Sequence, residues 1–539
     1  MRLLPAVALC FVVSSCTSAQ QVDEQSAAEV RLRKGAYLSG KPTGLGAPQV
    51  INRRDFVYAL AFGDDDVVAF THHVTTSMEL TSTALEPRQT RFQQPVNSSE
   101  FDVEDVVILD VGPGRGTVAV PSRQGIARSF HAKTGALSKE LITGVPLIRV
   151  AASPDGALLA FGSADGRVLL VDAGTFTIRG QARLHDDEVH GLAFLKDGRL
   201  VSSSFDGTLK VAELVPATDA TVRSATTTLK SGERVFLAHL TDASGAVRAV
   251  ATVRDTRQPS CAMTTAAAKR LSLQPTEGGA LVPVVTATEA KDAAGVALGS
   301  LSVQTLDLGA LNAGVCDACV PEGAELVLGA TALSRASFID DIARDEVIVQ
   351  PTAAAAGGGN VARLSAGALA LVPRKQVTLP GPSTDLDVSR TGAVLVAFGT
   401  TRAQRSYEIN HAEKDGAYPA PAPTSGAALI DVDSEQILRT FAARHHGVTS
   451  TAALSPDGRS VVTGGWDKRV LVFDATTGET VTEREVAWLV RRVRFSPDGR
   501  LLGVAAWTPV NALNDGDSEP SLLVYPVALA GASVQAPAR

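Results

Sequence analysis

No stretch of this 539-residue chain is long and apolar enough to span a bilayer: the longest apolar run, Leu3 to Val13, is about half of the roughly 20 residues a crossing helix needs. Basic charge is also in short supply. Lys and Arg number 50 against 57 Asp and Glu, the net charge is -7 with a pI near 5.8, and no basic stripe stands out, so no nucleic-acid partner is expected. Signatures of common chemistries are missing as well. Gly112-Pro113-Gly114-Arg115-Gly116 is not followed by the Lys-Ser/Thr of a phosphate cradle. Asp64-Asp65-Asp66 lacks the alternating ligand spacing of a calcium loop and reads as a solvated turn. His445-His446 has no carboxylate or cysteine set to complete a metal site, and no Ser-His-Asp signature is present. Neither a metal nor a cofactor is expected. With 45% hydrophobic and 20% charged residues the chain is globular and fills about three or four domain equivalents.

At the N-terminus one charge, Arg2, precedes the apolar run, and Ser14-Ser15-Cys16 and a polar tail follow it, which is the pattern of a signal peptide over residues 1–15. Val13-Ser14-Ser15-Cys16 resembles the bacterial lipobox. That resemblance implies cleavage before Cys16, lipid attachment to Cys16, and a membrane anchor in a bacterial cell envelope. Acyl chains contribute about 0.8 kcal/mol of membrane affinity per buried CH₂, so several hold firmly. Thr17 is not the aspartate that retains such lipoproteins at the inner membrane, which favours the outer membrane, facing the periplasm or the exterior. Of five cysteines, Cys261, Cys316 and Cys319 then remain as thiols, an odd number for an oxidising compartment.

Internal repeats decide the fold expectation. Ser153-Pro154-Asp155-Gly156 recurs as Ser455-Pro456-Asp457-Gly458 and Ser496-Pro497-Asp498-Gly499, with a degenerate copy at Lys196-Asp197-Gly198. Asp457 and Asp498 lie 41 residues apart, Asp155 and Asp197 42, and Gly116 and Gly156 40, the length of one four-stranded propeller blade. Each turn splits apolar runs of strand length, as antiparallel hairpins require. Gly464-Gly465-Trp466-Asp467 through Phe473-Asp474, together with Ser163 to Val168 and Ser204 to Leu209, resembles the second half of a WD repeat. His446 sits where that family places a histidine, and His185 precedes a similar strand. Phe473 and Ala212 replace the signature tryptophan, so the family's hydrogen-bonded His-Asp-Trp network is partial. The expectation is an all-β, seven-bladed propeller, with eight blades as the alternative. Its blades start near Arg53, Asp102, Leu141, Asp186, Thr384, His446 and Trp488, and the chain near Arg31 to Tyr37 closes the ring.

Over 229–352 the blade period disappears. A hairpin (Val235 to Leu240, Val247 to Val253) leads to Asp255-Thr256-Arg257. A short helix follows near Thr265 to Leu271, then a hairpin around Glu289 to Gly295, Val327-Leu328-Gly329, and a last strand at Glu346 to Pro351. This succession resembles the retropepsin-like aspartic peptidases, with Asp255-Thr256 on the catalytic Asp-Thr, Thr288 to Gly295 on the flap, and Val327-Leu328-Gly329 on the apolar-apolar-Gly strand. The chemistry of that family needs two carboxylates sharing one proton. One chain offers a single Asp-Thr, so a dyad would require two chains. Arg257 stands where the family has glycine, where it lowers the carboxylate pKa and opposes proton sharing. Cys316-Asp317-Ala318-Cys319 has the spacing of redox and zinc sites, but no second pair or following histidine completes a zinc site. A structural disulfide from Cys261 to Cys316 or Cys319 is expected instead.

The resulting divisions are a signal peptide at 1–15, a linker and ring-closing strand at 16–48, propeller at 49–228, the retropepsin-like insertion at 229–352, a flexible return and the rest of the propeller at 353–530, and a tail at 531–539. Two functions follow. One is an anchored, non-catalytic scaffold for a protein or envelope component; the other is an envelope aspartic endopeptidase using Asp255 in a homodimeric site.

Overall fold

The computed structural model describes residues 20–21, 36–53, 56–63, 67–74, 77–97, 103–241, 246–352, 362–399, 425–442, 445, 448–507 and 519–535. Cys16, Asp64 to Asp66, the return linker at 353–361 and His446 lie outside them.

Seven antiparallel blades form the ring. Blades 1, 2 and 3 occupy 56–97, 107–142 and 147–183; blades 5 and 6 occupy 383–442 and 449–485; blade 7 begins at 489. Their starts fall within a few residues of those expected. The hairpins follow from local chemistry. In Ser153-Pro154-Asp155-Gly156 the serine hydroxyl donates to Asp155 Oδ1 at 2.6 Å, Asp155 Oδ1 accepts the Ala157 N–H at 3.0 Å, and Gly156 takes the left-handed φ of 67°. The turns at Ser455 and Ser496 repeat the same serine–aspartate bond. Each turn is thus complete without tertiary help.

The first strands of successive blades abut one another around the axis, and each neighbouring pair of blades encloses its own apolar cluster. Between blades 2 and 3 these are residues such as Leu141, Leu159 and Phe161; between blades 4 and 5, Val201, Val211, Val394 and Phe398; between blades 5 and 6, Phe441, Leu454 and Phe473. A fully buried Leu or Phe contributes about 1.5–3 kcal/mol, so stability is spread along the ring rather than held in one core.

Closure uses both ends of the chain. Gln49–Arg53 and Tyr37–Leu45 pair with successive halves of the long strand Pro520–Gln535, so the outermost strand of the last blade comes from the N-terminal side. Of the expected closing segment near Arg31 to Tyr37, residues 31–35 lie outside the described residues and Tyr37 opens the closing strand, while the expected tail from 531 continues the long strand to Gln535.

The larger correction concerns the interruption, which falls inside blade 4 and not between blades 4 and 5. Thr208–Pro216 pairs antiparallel with Leu369–Thr378, so the outer strand of blade 4 is supplied after the insertion. The inserted sheet starts before the expected boundary, with Val222–Thr228, and ends after it, at Arg363–Leu364. Within it six strands close on themselves: β1 (Arg234–Thr241), β2 (Val247–Arg254), β3 (Cys261–Met263), β4 (Ala290–Val303), β5 (Leu306–Val315) and β6 (Leu326–Leu328). The cycle runs β1-β2-β6-β3-β5-β4 and back to β1, with β2–β6 and β3–β5 parallel. Phe236, Val250, Met263, Leu298, Leu308 and Leu328 are among the residues that fill it.

The barrel docks on the outer side of blades 2 and 3. His239 of β1 is buried and its Nε2 donates to the Ile142 carbonyl at 2.8 Å; the buried Glu346 carboxylate pairs with Arg167 of blade 3 and, at 3.2 Å, with Arg223.

Candidate functional site

Two histidines pin the loops that enter blades 4 and 6. His185 Nδ1 lies 3.0 Å from Asp206 Oδ2 and Nε2 2.8 Å from Ser202 Oγ; His445 Nδ1 lies 2.9 Å from Asp467 Oδ1 and Nε2 2.9 Å from Thr463 Oγ1. With Nδ1 protonated, each imidazole donates to the aspartate and accepts from the hydroxyl. Burial works to raise the Asp206 pKa, but the hydrogen bonds from His185 and Thr208 hold it well below the usual carboxylate range. The pinning histidine of blade 6 is therefore His445, not the expected His446. Gly465 beside it cannot carry a side chain, since a Cβ there would meet His445 Nδ1 at 2.4 Å.

A second constellation lies along the axis. In six blades the innermost strand skips one residue in its pairing with the next strand, at Tyr58, Ile148, His190, Thr384, Ser450 and Arg491. Such bulges re-aim the side chains beside them. Here they bring charged groups of several blades to one level. Asp385 of blade 5 accepts from Arg492 Nη1 at 2.5 Å, from Arg494 Nη1 and Nη2 at 2.8 Å each, and from Thr451 Oγ1 at 2.6 Å. Arg492 also donates to the Glu104 carbonyl at 3.0 Å, and Arg149 of blade 3 donates to the carbonyls of His190 and Thr384 at 2.6 and 3.4 Å. The Glu104 carboxylate pairs with Arg123 at 2.7 Å and Arg491 at 3.2 Å. The ties from Asp385 to Arg492 and Arg494, from Glu104 to Arg491 and Arg492, and from Arg149 to Thr384 join blades that are not neighbours. Burial opposes ionisation of Asp385, yet Arg492 and Arg494 keep its pKa far below normal; burial pushes Arg492 down to about 10 despite Asp385; burial drives Asp387 upward.

The expected Asp255-Thr256 pair follows directly on β2. The Asp255 N–H donates to the Leu328 carbonyl of β6 at 3.1 Å, and Gly329 packs so closely on this loop that a Cβ would meet the Ser260 carbonyl oxygen at 2.2 Å. Arg257 takes the carboxylate: its backbone N–H and Nε donate to Oδ1 at 2.9 and 3.0 Å, and Nη2 to Oδ2 at 3.0 Å. The Arg257 hydrogen bond is the largest influence on the Asp255 pKa and lowers it. Among the described residues no hydrogen bond or ion pair joins Asp255 to a second carboxylate, and Thr256 is exposed. Gln258, buried beside them, donates from Nε2 to the Val285 carbonyl and accepts the Val285 N–H at 2.8 Å, which fixes the strand Leu281–Val285 over the loop. That strand and β4 form a hairpin where the resemblance placed a flap, with its turn at Thr286 to Glu289, because the Thr286 hydroxyl accepts the Thr288 and Glu289 N–H groups.

Comparison with known sequences matches the family described as "WD domain, G-beta repeat" to residues 177–212 and 435–474, the two regions that contain the His185 and His445 networks. Two segments of the chain thus match the WD40 repeat. No curated protein matches it. A chain from "Crystal Structure of Mitotic Checkpoint Complex" aligns over 98% of this chain and 100% of its own, with 10% identity and a TM-score of 0.45, a similarity too low to carry an argument.

In the two matched segments the pinning networks run to the hydroxyls of Ser202 and Thr463, in keeping with the missing tryptophan. The cysteine expectation is corrected: Cys316 and Cys319 bond to each other, and Cys261 is a buried free thiol whose pKa burial raises. Register explains why. Cys261 lies opposite Ala313 in the parallel β3–β5 pair, so Cys316 is three residues farther along, about 10 Å at 3.3 Å per residue. The axial network was missed by sequence reasoning. Its signal was present in Thr384-Asp385-Leu386-Asp387 and Arg491-Arg492-Val493-Arg494, charges inside runs otherwise of strand character.

Proposed function

We propose that this protein is a bacterial envelope lipoprotein, anchored through Cys16 and preferring the outer membrane, that acts as a protein-interaction scaffold. Its WD40 propeller binds a protein or envelope component, and its barrel is a retropepsin-like domain without peptidase activity. The order of barrel strands around the Asp255 loop, β6 and the flap hairpin supports the family reading. Loss of activity rests on one observation above all: Arg257 occupies both oxygens of Asp255, the group that would have to share a proton and activate water. The scaffold reading follows from the propeller, whose axis is tied across by buried ion pairs and whose loop faces are thereby left as the surfaces for a partner.

The mature protein is incubated with a diverse peptide library at mildly acidic and neutral pH, beside Asp255→Ala. Indistinguishable cleavage patterns are expected; cuts that require Asp255 would establish a homodimeric endopeptidase instead. For the anchor, labelled fatty acid should enter the wild type and not Cys16→Ala, and equal labelling would remove the lipoprotein reading.

A further inference from the structure

The Cys316–Cys319 bond contributes little to holding the fold together. A cross-link stabilises by removing freedom from the unfolded chain, and the effect grows with the loop it closes. This one encloses only Asp317 and Ala318. A bond to Cys261, 55 residues before Cys316, would constrain far more, yet that thiol is left unpaired. What the short bond does fix is the turn carrying Asp317. The Asp317 carboxylate accepts the Thr265 N–H at 2.7 Å and the Thr265 hydroxyl at 2.9 Å, at the start of helix α1 (Thr265–Arg270). Eight residues on, the Glu325 carboxylate accepts from Arg270 at 2.7 Å at the other end of that helix and from the Ala251 N–H at 3.1 Å. Loop 316–325 therefore clasps α1 at both ends, and α1 begins directly after the segment that runs from Asp255 through β3. Asp317 and Ala318 are exposed, which places the bond just beneath a solvent-facing turn.

We propose that Cys316–Cys319 is a reducible switch that exchanges with a dithiol partner and sets how tightly loop 316–325 clasps α1. A partner thiolate attacks one sulfur, forming a mixed disulfide as the Cys316–Cys319 bond breaks, and the displaced thiolate takes up a proton. The partner's second thiol then attacks the mixed disulfide and leaves as the oxidised partner. Two electrons and two protons pass to the protein. The Asp317 turn loses its cross-link while the barrel, whose strands do not depend on it, stays closed around buried Cys261. The proposal goes beyond the scaffold reading and is independent of the peptidase question.

The intact mature protein is equilibrated with a graded series of reduced and oxidised dithiothreitol, alkylated and mapped by mass spectrometry, with hydrogen exchange followed over 264–271. Alkylation of Cys316 and Cys319 with Cys261 protected is expected, with exchange in α1 about five- to tenfold faster, as for loss of a helix cap. Cys316→Ser/Cys319→Ser should show the faster exchange without reductant. Labelling of Cys261 in step with the other two would mean that the bond opens only with the barrel. Unchanged α1 exchange in reduced wild type would equally overturn the proposal, whether or not the double variant folds.

Discussion

Replacing Asp385 by alanine removes the one carboxylate that two guanidinium groups share at the centre of the ring. Its side chain is 1% exposed, and those of Arg492 and Arg494 are 4% and 20% exposed, so after the substitution two cations stay largely out of water, Arg492 keeping only its longer contact to Asp105 at 3.7 Å. Breaking a buried pair from one side costs about 3–5 kcal/mol. Arg494 keeps some solvation, which points to the lower half of that range. With an unfolding entropy of about 2.1 cal/mol/K per residue, a cooperative unit of 539 residues has roughly 1.1 kcal/mol/K, and Tm should fall by about 3 °C. If the ring melts apart from the barrel the unit is smaller and the fall larger. Calorimetry and urea unfolding measure both quantities, and the m-value should be unchanged. Asp385→Asn keeps an acceptor oxygen and should lie between alanine and wild type. As a control, Glu213→Ala breaks an exposed pair with Arg374 (45% and 51% exposed) and should change stability by less than about 1 kcal/mol. If Asp385→Ala is no worse than this control, the axial charges are solvated and the reasoning fails. The sign with pH is fixed too. Asp385 has a depressed folded pKa, so its contribution is present above the unfolded value near 3.9 and is lost as pH falls through that value toward the folded one.

His239 is buried with Nε2 on the Ile142 carbonyl and Nδ1 without a partner among the described residues, and burial lowers its pKa. Its contribution is therefore complete above the unfolded value near 6.5 and lost as pH falls below it, so protection of 137–142 from hydrogen exchange, taken relative to the intrinsic rate at each pH, should fall between about pH 7.5 and 5.5; a flat protection profile in wild type would exclude this role. Glu346→Ala removes one of the two carboxylates on buried Arg167, leaving Asp165, and should cost about 1.5–3 kcal/mol, read as earlier proteolytic release of the barrel from blades 2 and 3. Arg257→Gly removes the main influence lowering the Asp255 pKa, and NMR titration of that carboxyl should show it rise toward the ordinary aspartate range; an unmoved titration would mean the ion pair is not formed in solution. His445→Ala takes the imidazole from the Thr463 hydroxyl and one donor from Asp467, and should destabilise by about 1–3 kcal/mol in urea unfolding, more than the same change at exposed His131.

Blade starts and turns were legible in the sequence because Ser-Pro-Asp-Gly specifies its turn through its own side chains. The pinning role of histidine was legible by its place before the first strand, but His445 and His446 offer the same chemistry one residue apart, and only the Thr463 and Asp467 partners separate them. The outer strand of blade 4 was not legible. The pairing of Thr208–Pro216 with Leu369–Thr378 leaves no local pattern, since neither strand records which partner will cover its edge. The axial network was hidden for a related reason: an aspartate in an apolar strand reads as a local fault until arginines from two blades away arrive beside it. Asp255 and Arg257, by contrast, lie within one turn, and their clash with proton sharing could be read directly.

The split of blade 4 also bears on how the ring comes to be finished. The Ala217 N–H donates to the Ala368 carbonyl at 3.0 Å, so the barrel leaves and rejoins the propeller through one hairpin mouth. An unstructured loop of that length would make the last strand of blade 4 search for its edge against a substantial closure entropy. A folded barrel holds the two ends side by side and reduces that search to a short one. The barrel thus works as a turn, the largest in the molecule, and a defect in its interior should appear first as a propeller that fails to close.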